Sequence, residues 1–355
     1  LFFNILNEGE GVAIRILMNM DVDVDNLYNY FKNDTSISNL KCLKYGEVLN
    51  ETASFNEKVV GREKEIDLIL ETLMRKKKCN PLLIGDAGVG KSAIVEEIAR
   101  RIKLNKVPFK FKDFIIVSLS MSSLIAGTKY RGEFEERLNN ILDQIKGNDN
   151  VILFIDEMHT MVNAGAAEGA ISAGDILKPT LARGNIKCIG ATTKEEYEKY
   201  FIKDKALARR FETIFIKEPT ENETIDILKS VKEEYTTFHK VNISDEDIEV
   251  LVHLANVYFP NKKNPDKAIE LLDSTLSYVK YNYSNGIIKE KELKLKGLQT
   301  KKIYNIELGN FKEALIKSKE EKNLLKDLTL LKSGKNVVAT KEDILNVLEL
   351  KNNII

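Results

Sequence analysis

The chain has 355 residues, with Lys plus Arg and Asp plus Glu each totalling 54, so its formal net charge is zero. That balance excludes a bulk electrostatic drive toward nucleic acid or an anionic membrane surface, and no apolar run approaches the roughly 20 residues that a bilayer-spanning helix needs. The length is enough for two or three units with cores of their own. Cys42, Cys79 and Cys188 are few and far apart, a usage that points to a reducing compartment and away from a zinc site. The chain begins at Leu1 rather than Met and reads as a fragment, so the presence or absence of a targeting peptide is left open.

Residues 1–45 mix apolar and polar residues at helical spacing and read as a helical lead-in without enough apolar surface for a core. From 46 to 222 the pattern alternates between short apolar runs and amphipathic stretches, the signature of an α/β domain with a parallel sheet sandwiched by helices. Within it we expect a helix from Glu63 to Arg75, then PLLIGDAGVGKS at 81–92, which reads as strand, loop and helix. The loop fits GxxxxGK[ST]. Glycines at 85, 88 and 90 leave no side chains in the way, so that successive N–H groups of the loop, those of Asp86, Ala87 and Val89 included, can curl around a polyphosphate. Lys91 follows to reach the β- and γ-phosphates and Ser92 to ligate Mg²⁺ at the helix N-terminus.

Further strands are expected at Phe114–Leu119, Val151–Ile155, Ile186–Ala191 and Thr213–Ile216, with a helix at Glu133–Ile145. The run VILFIDE (151–157) is apolar without alternation, as in a strand buried on both faces, and puts two carboxylates at its carboxyl end. Asp156 is expected to hold Mg²⁺ through water and Glu157 to polarise the attacking water. In IGATT, Thr192 or Thr193 is a candidate partner for the γ-phosphate. In ALARRF, Arg209 and Arg210 are candidates to offset developing charge on that phosphate, in trans from a neighbouring subunit.

Residues 223–285 show helical periodicity throughout. Residues 289–332 are rich in Lys, Glu and Leu, with a stop at Gly309 and Asn310, and read as an antiparallel hairpin of two helices of about 20 residues each. Thr340 then caps a helix from Glu342 to Leu350.

The strings VVGREKEI (59–66), KYRGEFEER (129–137), VILFIDEMHT (151–160), AEGAISAGDILKPTLARG (167–184), IGATT (189–193) and PDKAIELLD (265–273) together resemble the first ATPase module of the Clp AAA+ unfoldases. The resemblance implies a large α/β ATPase domain at 46–222, a small helical lid at 223–285, and a middle-domain coiled-coil hairpin at 286–335. Residues 336–355 would lead to a second ATPase module, and residues 1–45 would be the remnant of an N-terminal domain. The hairpin's length resembles that of the protease-coupled, ClpC-like members rather than the disaggregases.

By position the resemblance also implies that Val59 and Val60 line an adenine pocket, that Thr192 senses the γ-phosphate, and that Arg209 and Arg210 reach the next subunit's nucleotide. Lys129, Tyr130, Arg131 and Gly132 match a pore loop that grips polypeptide. ATP or ADP with Mg²⁺ is the implied cofactor set. The implied function is ATP-driven unfolding by a hexameric ring of identical subunits. Unfolded or tagged proteins are its substrates, an adaptor sits at the middle domain, and a Clp protease is met through the second module. A disaggregase and an ATP-gated scaffold are the alternatives, and a nucleic-acid remodelling role is disfavoured by the neutral charge. Bacterial cytoplasm and a plastid or apicoplast-type stroma both stay open. Departures from the family pattern are PNKKN at 260–264, Ala87 and Ala208.

Overall fold

The computed structural model describes residues 45–52, 58–120, 123–124, 126, 131–146, 148, 150–163, 173–182, 186–283, 286, 288–332 and 337–352. The expected lead-in helices at 1–44 lie outside them. Two units are distinguished: one holds the described residues of Leu1–Ser54, Asp67–Ile84 and Val95–Ile214, the other those of Phe55–Ile66, Gly85–Ile94 and Phe215–Ile355.

The first unit is built on a six-stranded sheet of β1 (Gly46–Val48), β2 (Asn80–Ile84), β3 (Ile115–Leu119), β4 (Val151–Ile155), β5 (Lys187–Thr192) and β6 (Phe211–Phe215), in the order β1-β3-β4-β5-β2-β6. The pairs β3–β4, β4–β5 and β5–β2 are parallel, while β1 is an antiparallel edge against β3. The apolar runs explain why these segments are strands. Every residue of β2 and of β4 is buried, as a strand covered on both faces requires.

Along one face Leu82, Ile84, Val117, Leu153 and Ile155 share a core with Leu138, Ile141 and Leu142 of α4 (Arg131–Lys146) and Leu177 and Leu181 of α6 (Ala173–Ala182). The alternate residues Leu83, Ile116, Ile152 and Ile189 are equally buried. Two asparagines fasten the sheet where strand patterning says nothing. Asn50, in α1 (Leu49–Thr52), accepts from Ile116 N–H at 2.7 Å and donates to Phe114 C=O at 3.2 Å. Asn80 accepts from Cys188 N–H at 3.0 Å and donates to Arg210 C=O at 3.4 Å.

The expected helix at 63–75 is α2 (Glu63–Met74), and the helix after the phosphate-loop sequence is α3 (Lys91–Lys103). β6 starts two residues before the expected strand because Phe211, 2% exposed, already points into the core.

In the second unit a helical core is formed by α9 (Glu221–His239), α10 (Asp245–Tyr258), α11 (Asp266–Tyr283) and α14 (Lys341–Asn352). A two-residue parallel pair joins β7 (Asn242–Ile243) to β8 (Val338–Ala339), so that Val337, Ala339, Ile344, Val347 and Leu348 are buried with Leu228, Leu251 and Leu272. Between α11 and β8 the chain makes a hairpin of α12 (Lys289–Glu307) and α13 (Phe311–Lys332), turned at Gly309 with φ +75°. Lys302 and Gln299 of α12 meet Glu321 of α13 at 2.6 and 3.1 Å.

Candidate functional site

The loop 85–90 follows directly on β2, and several of its carbonyls are engaged by hydrogen bonds. Lys91 Nζ donates to the carbonyls of Gly85 and Asp86, each at 2.9 Å. Arg62, 7% exposed, donates through Nη2 to Val89 C=O at 3.1 Å and to Lys217 C=O at 2.9 Å. Asp266, the first residue of α11, gives its N–H to Gly88 C=O at 3.3 Å. These bonds occupy carbonyls of the loop, whereas an anion is received by N–H groups of such a loop.

Two glycines are required for different reasons. Gly90 has φ +91°, which side chains rarely adopt. At Gly85 a Cβ would lie 2.6 Å from Ile216 C=O. Lys91 and Ser92 then open α3, placing an ammonium and a hydroxyl at a positive helix terminus.

The other candidates belong to the first unit. Ile84 is level with Thr192, and Ile155 with Gly190, so β2, β4 and β5 end along one edge of the sheet, where ligands of parallel sheets bind. Asp156 is half-buried and Glu157 exposed. Glu157 has φ +47°, the left-handed region, and four bonds hold it there. Its N–H donates to Asp156 Oδ1 at 2.8 Å. Its carbonyl accepts from Thr160 N–H and Thr160 Oγ1, each at 2.8 Å. The next N–H, of Met158, donates to Ala191 C=O at 2.8 Å, tying the turn to the strand that carries Thr192.

Residues 81–219 match the family described as "ATPase family associated with various cellular activities (AAA)", and residues 220–326 match "AAA lid domain". The chain is 50% identical over 284 residues to the chaperone protein ClpB of Aquifex aeolicus, covering 79% of this chain and 28% of that protein. It is 41% identical over 340 residues to the Clp protease ATP-binding subunit ClpC of Staphylococcus epidermidis, covering 88% and 41%. The chain is a Clp-type AAA+ ATPase module.

A ClpA homolog of Cyanidium caldarium is 44% identical over 331 residues, 88% of this chain and 39% of the homolog; the module thus spans less than half the length of these relatives. Among solved structures, Hsp104 with ATPγS and FITC casein superposes with a TM-score of 0.63 at 38% identity, covering 68% of this chain and 42% of that one.

In this Clp module the paired arginines follow the short helix α8 (Lys205–Ala208), capped by Asp204, whose Oδ1 accepts from Leu207 N–H at 3.1 Å. Both arginine side chains are exposed, while the Arg210 carbonyl is anchored by Asn80. Arg131 and Gly132 open α4; Lys129 and Tyr130 lie outside the described residues. Val59 and Val60 are half-buried just before α2. The departing segment PNKKN brings Lys263 to 3.0 Å from Glu218 and 3.5 Å from Asp86 of the loop. Burial raises the Glu218 carboxyl, but the Asn264 N–H and Lys263 outweigh it and hold Glu218 below the ordinary range.

Arg62 was legible only as part of VVGREKEI, because nothing in a lone arginine before a helix marks it as a buried anchor. Glu196 carried a readable signal, since TKEE at 193–196 fits a capping box.

Proposed function

We propose that the module binds ATP on the loop 85–92 and hydrolyses it as one subunit of a hexameric ring of identical chains, which threads polypeptide through its centre and feeds a Clp-type protease. The reading is supported above all by the register of the sheet, which ends β2, β4 and β5 along one edge.

In it the N–H groups of Gly85, Asp86, Ala87, Gly88, Val89 and Gly90 hold the phosphates and Lys91 neutralises them, while Val59 and Val60 receive the adenine. Ser92 and Asp156 offer hard oxygen donors of the kind Mg²⁺ takes. When bound, Mg²⁺ neutralises phosphate charge. The Glu157 carboxylate accepts the proton of the attacking water, Thr192 donates to the γ-phosphate, and Arg209 and Arg210 of one subunit reach the nucleotide of the next. Tyr130, flanked by Lys129, Arg131 and Gly132, grips the substrate.

A protease-coupled role is favoured by the single hairpin of 19 and 22 residues. The identity to ClpB, named a chaperone rather than a protease subunit, keeps disaggregation as the second reading; stimulated degradation by an added Clp peptidase, against recovery of an aggregated protein, separates the two. Cys79 and Cys188 are buried free thiols, which fits a reducing compartment; burial pushes the Cys188 thiol above its ordinary value.

Glu157→Gln is the direct test. It keeps the shape of the side chain and removes the base, so ATP binding persists while turnover falls by about two decades or more. Turnover at the unmutated rate, measured by phosphate release, removes the assignment of Glu157.

A further inference from the structure

Thr192 ends β5 with 1% of its surface exposed, and its hydroxyl oxygen lies 3.5 Å from His159 Nδ1 and 3.5 Å from Glu196 Oε2. Those two groups are themselves 2.9 Å apart. The same Oε2 accepts the Thr193 hydroxyl at 2.7 Å and the Thr193 N–H at 3.2 Å. Three donors within 3.2 Å crowd one carboxylate oxygen, which offers about two lone-pair directions. Thr192 is the donor left at the long limit of a hydrogen bond.

Helix capping does not account for His159. Thr193 and Glu196 cap each other's backbone reciprocally, and a T-x-x-E box needs no imidazole. Yet the ring is fixed from two directions. It stacks on Tyr200, with centroids 6.4 Å apart and 17° between planes, and it directs Nδ1 at the carboxylate, so the proton sits on Nδ1. His159 also stands two residues after Glu157, at the start of α5 (His159–Asn163), on the turn that Met158 ties to β5.

We propose that His159 and Glu196 are positioning residues that set how available the Thr192 hydroxyl is. By donating to Oε2, His159 takes up acceptor capacity that would otherwise draw in Thr192, and so leaves the hydroxyl proton free for the γ-phosphate. Without the imidazole the crowded oxygen opens, the Thr192 bond shortens, and the protein competes with the phosphate for that proton. The inference rests on the reading of Thr192 as the γ-phosphate sensor.

The test measures ATP turnover and ATP affinity on the full chain carrying His159→Ala, His159→Asn, His159→Ala with Glu196→Gln, and Thr192→Val. His159→Ala lowers kcat about tenfold, the scale of one hydrogen bond to a charged group, while Kd for ATP moves by less than about twofold, because the lost interaction is made only on the way to reaction. Asn presents an N–H near the place of Nδ1–H and restores most of the loss. Adding Glu196→Gln to His159→Ala keeps the capping box but binds the hydroxyl less strongly, and restores about fivefold.

An unchanged kcat in His159→Ala, or a loss that neither Asn nor Glu196→Gln recovers, overturns the inference. Thr192→Val keeps the two readings apart. If it leaves kcat unchanged, the sensor reading itself fails; if it lowers kcat and His159→Ala does not, only the positioning inference fails.

Discussion

Arg62 and Glu157 carry the site through the backbone. A left-handed non-glycine residue such as Glu157 costs about 1–2 kcal/mol, and it persists because its N–H, its carbonyl and the next N–H are all engaged. Strain of this kind collects where a side chain must be aimed rather than merely accommodated. Arg62 does the complementary work on the loop, satisfying two carbonyls with one guanidinium. Arg62→Ala leaves both acceptors without that donor and costs about 3 kcal/mol of stability, at roughly 1–3 kcal/mol per orphaned group. Arg62→Lys recovers only part of this, since an ammonium lacks the planar fork. Urea denaturation of the two variants checks both statements.

Among the elements, α9 shows how much of a helix is written in its first turn. Thr220 accepts from Glu223 N–H at 3.3 Å and gives its own N–H to Glu223 Oε2 at 2.8 Å. The Thr220 N–H, with the hydroxyl beside it, holds the Glu223 carboxyl below the ordinary glutamate range. A depressed acid stabilises the fold fully above its unfolded value of about 4.3 and loses that contribution as pH falls through the lower folded value. Thermal unfolding therefore separates Glu223→Gln from the unmutated chain at pH 7, and the gap closes as the pH approaches 2, about two units under the model-peptide value.

The strands were readable for a related reason. VILFI is short, β-branched at both ends and has no polar residue to place, which fits a strand with both faces covered, and β4 occupies the same five residues. The edge strand β1 was not readable: three residues, GEV, carry no period, and only Asn50 and the backbone of β3 make them a strand.

At the scale of the whole molecule, the second unit depends on residues far apart in the chain. Ile344, fully buried, packs into a core otherwise drawn largely from residues 228–279, with the long hairpin intervening in sequence. Ile344→Ala removes that packing and leaves a cavity, which costs about 2–5 kcal/mol. A lower denaturation midpoint of the second unit with an unchanged α12–α13 helix content is the expected observation, because that hairpin is held by its own contacts, Lys302 to Glu321 among them.

The sequence by itself determined the strands of the parallel sheet, the phosphate-loop sequence between β2 and α3, and the acidic pair after β4, because each is a local pattern of apolar period, glycine spacing or side-chain chemistry. Tertiary structure decided the rest. The order β4-β5-β2 sets Thr192 level with Ile84, β8 pairs with β7, Arg62 reaches the Val89 carbonyl of the loop, and His159 meets Glu196 beside Thr192. Those relations join residues tens of positions apart, and they are fixed by which buried faces and orphaned backbone groups satisfy one another, a condition that no short stretch of sequence contains.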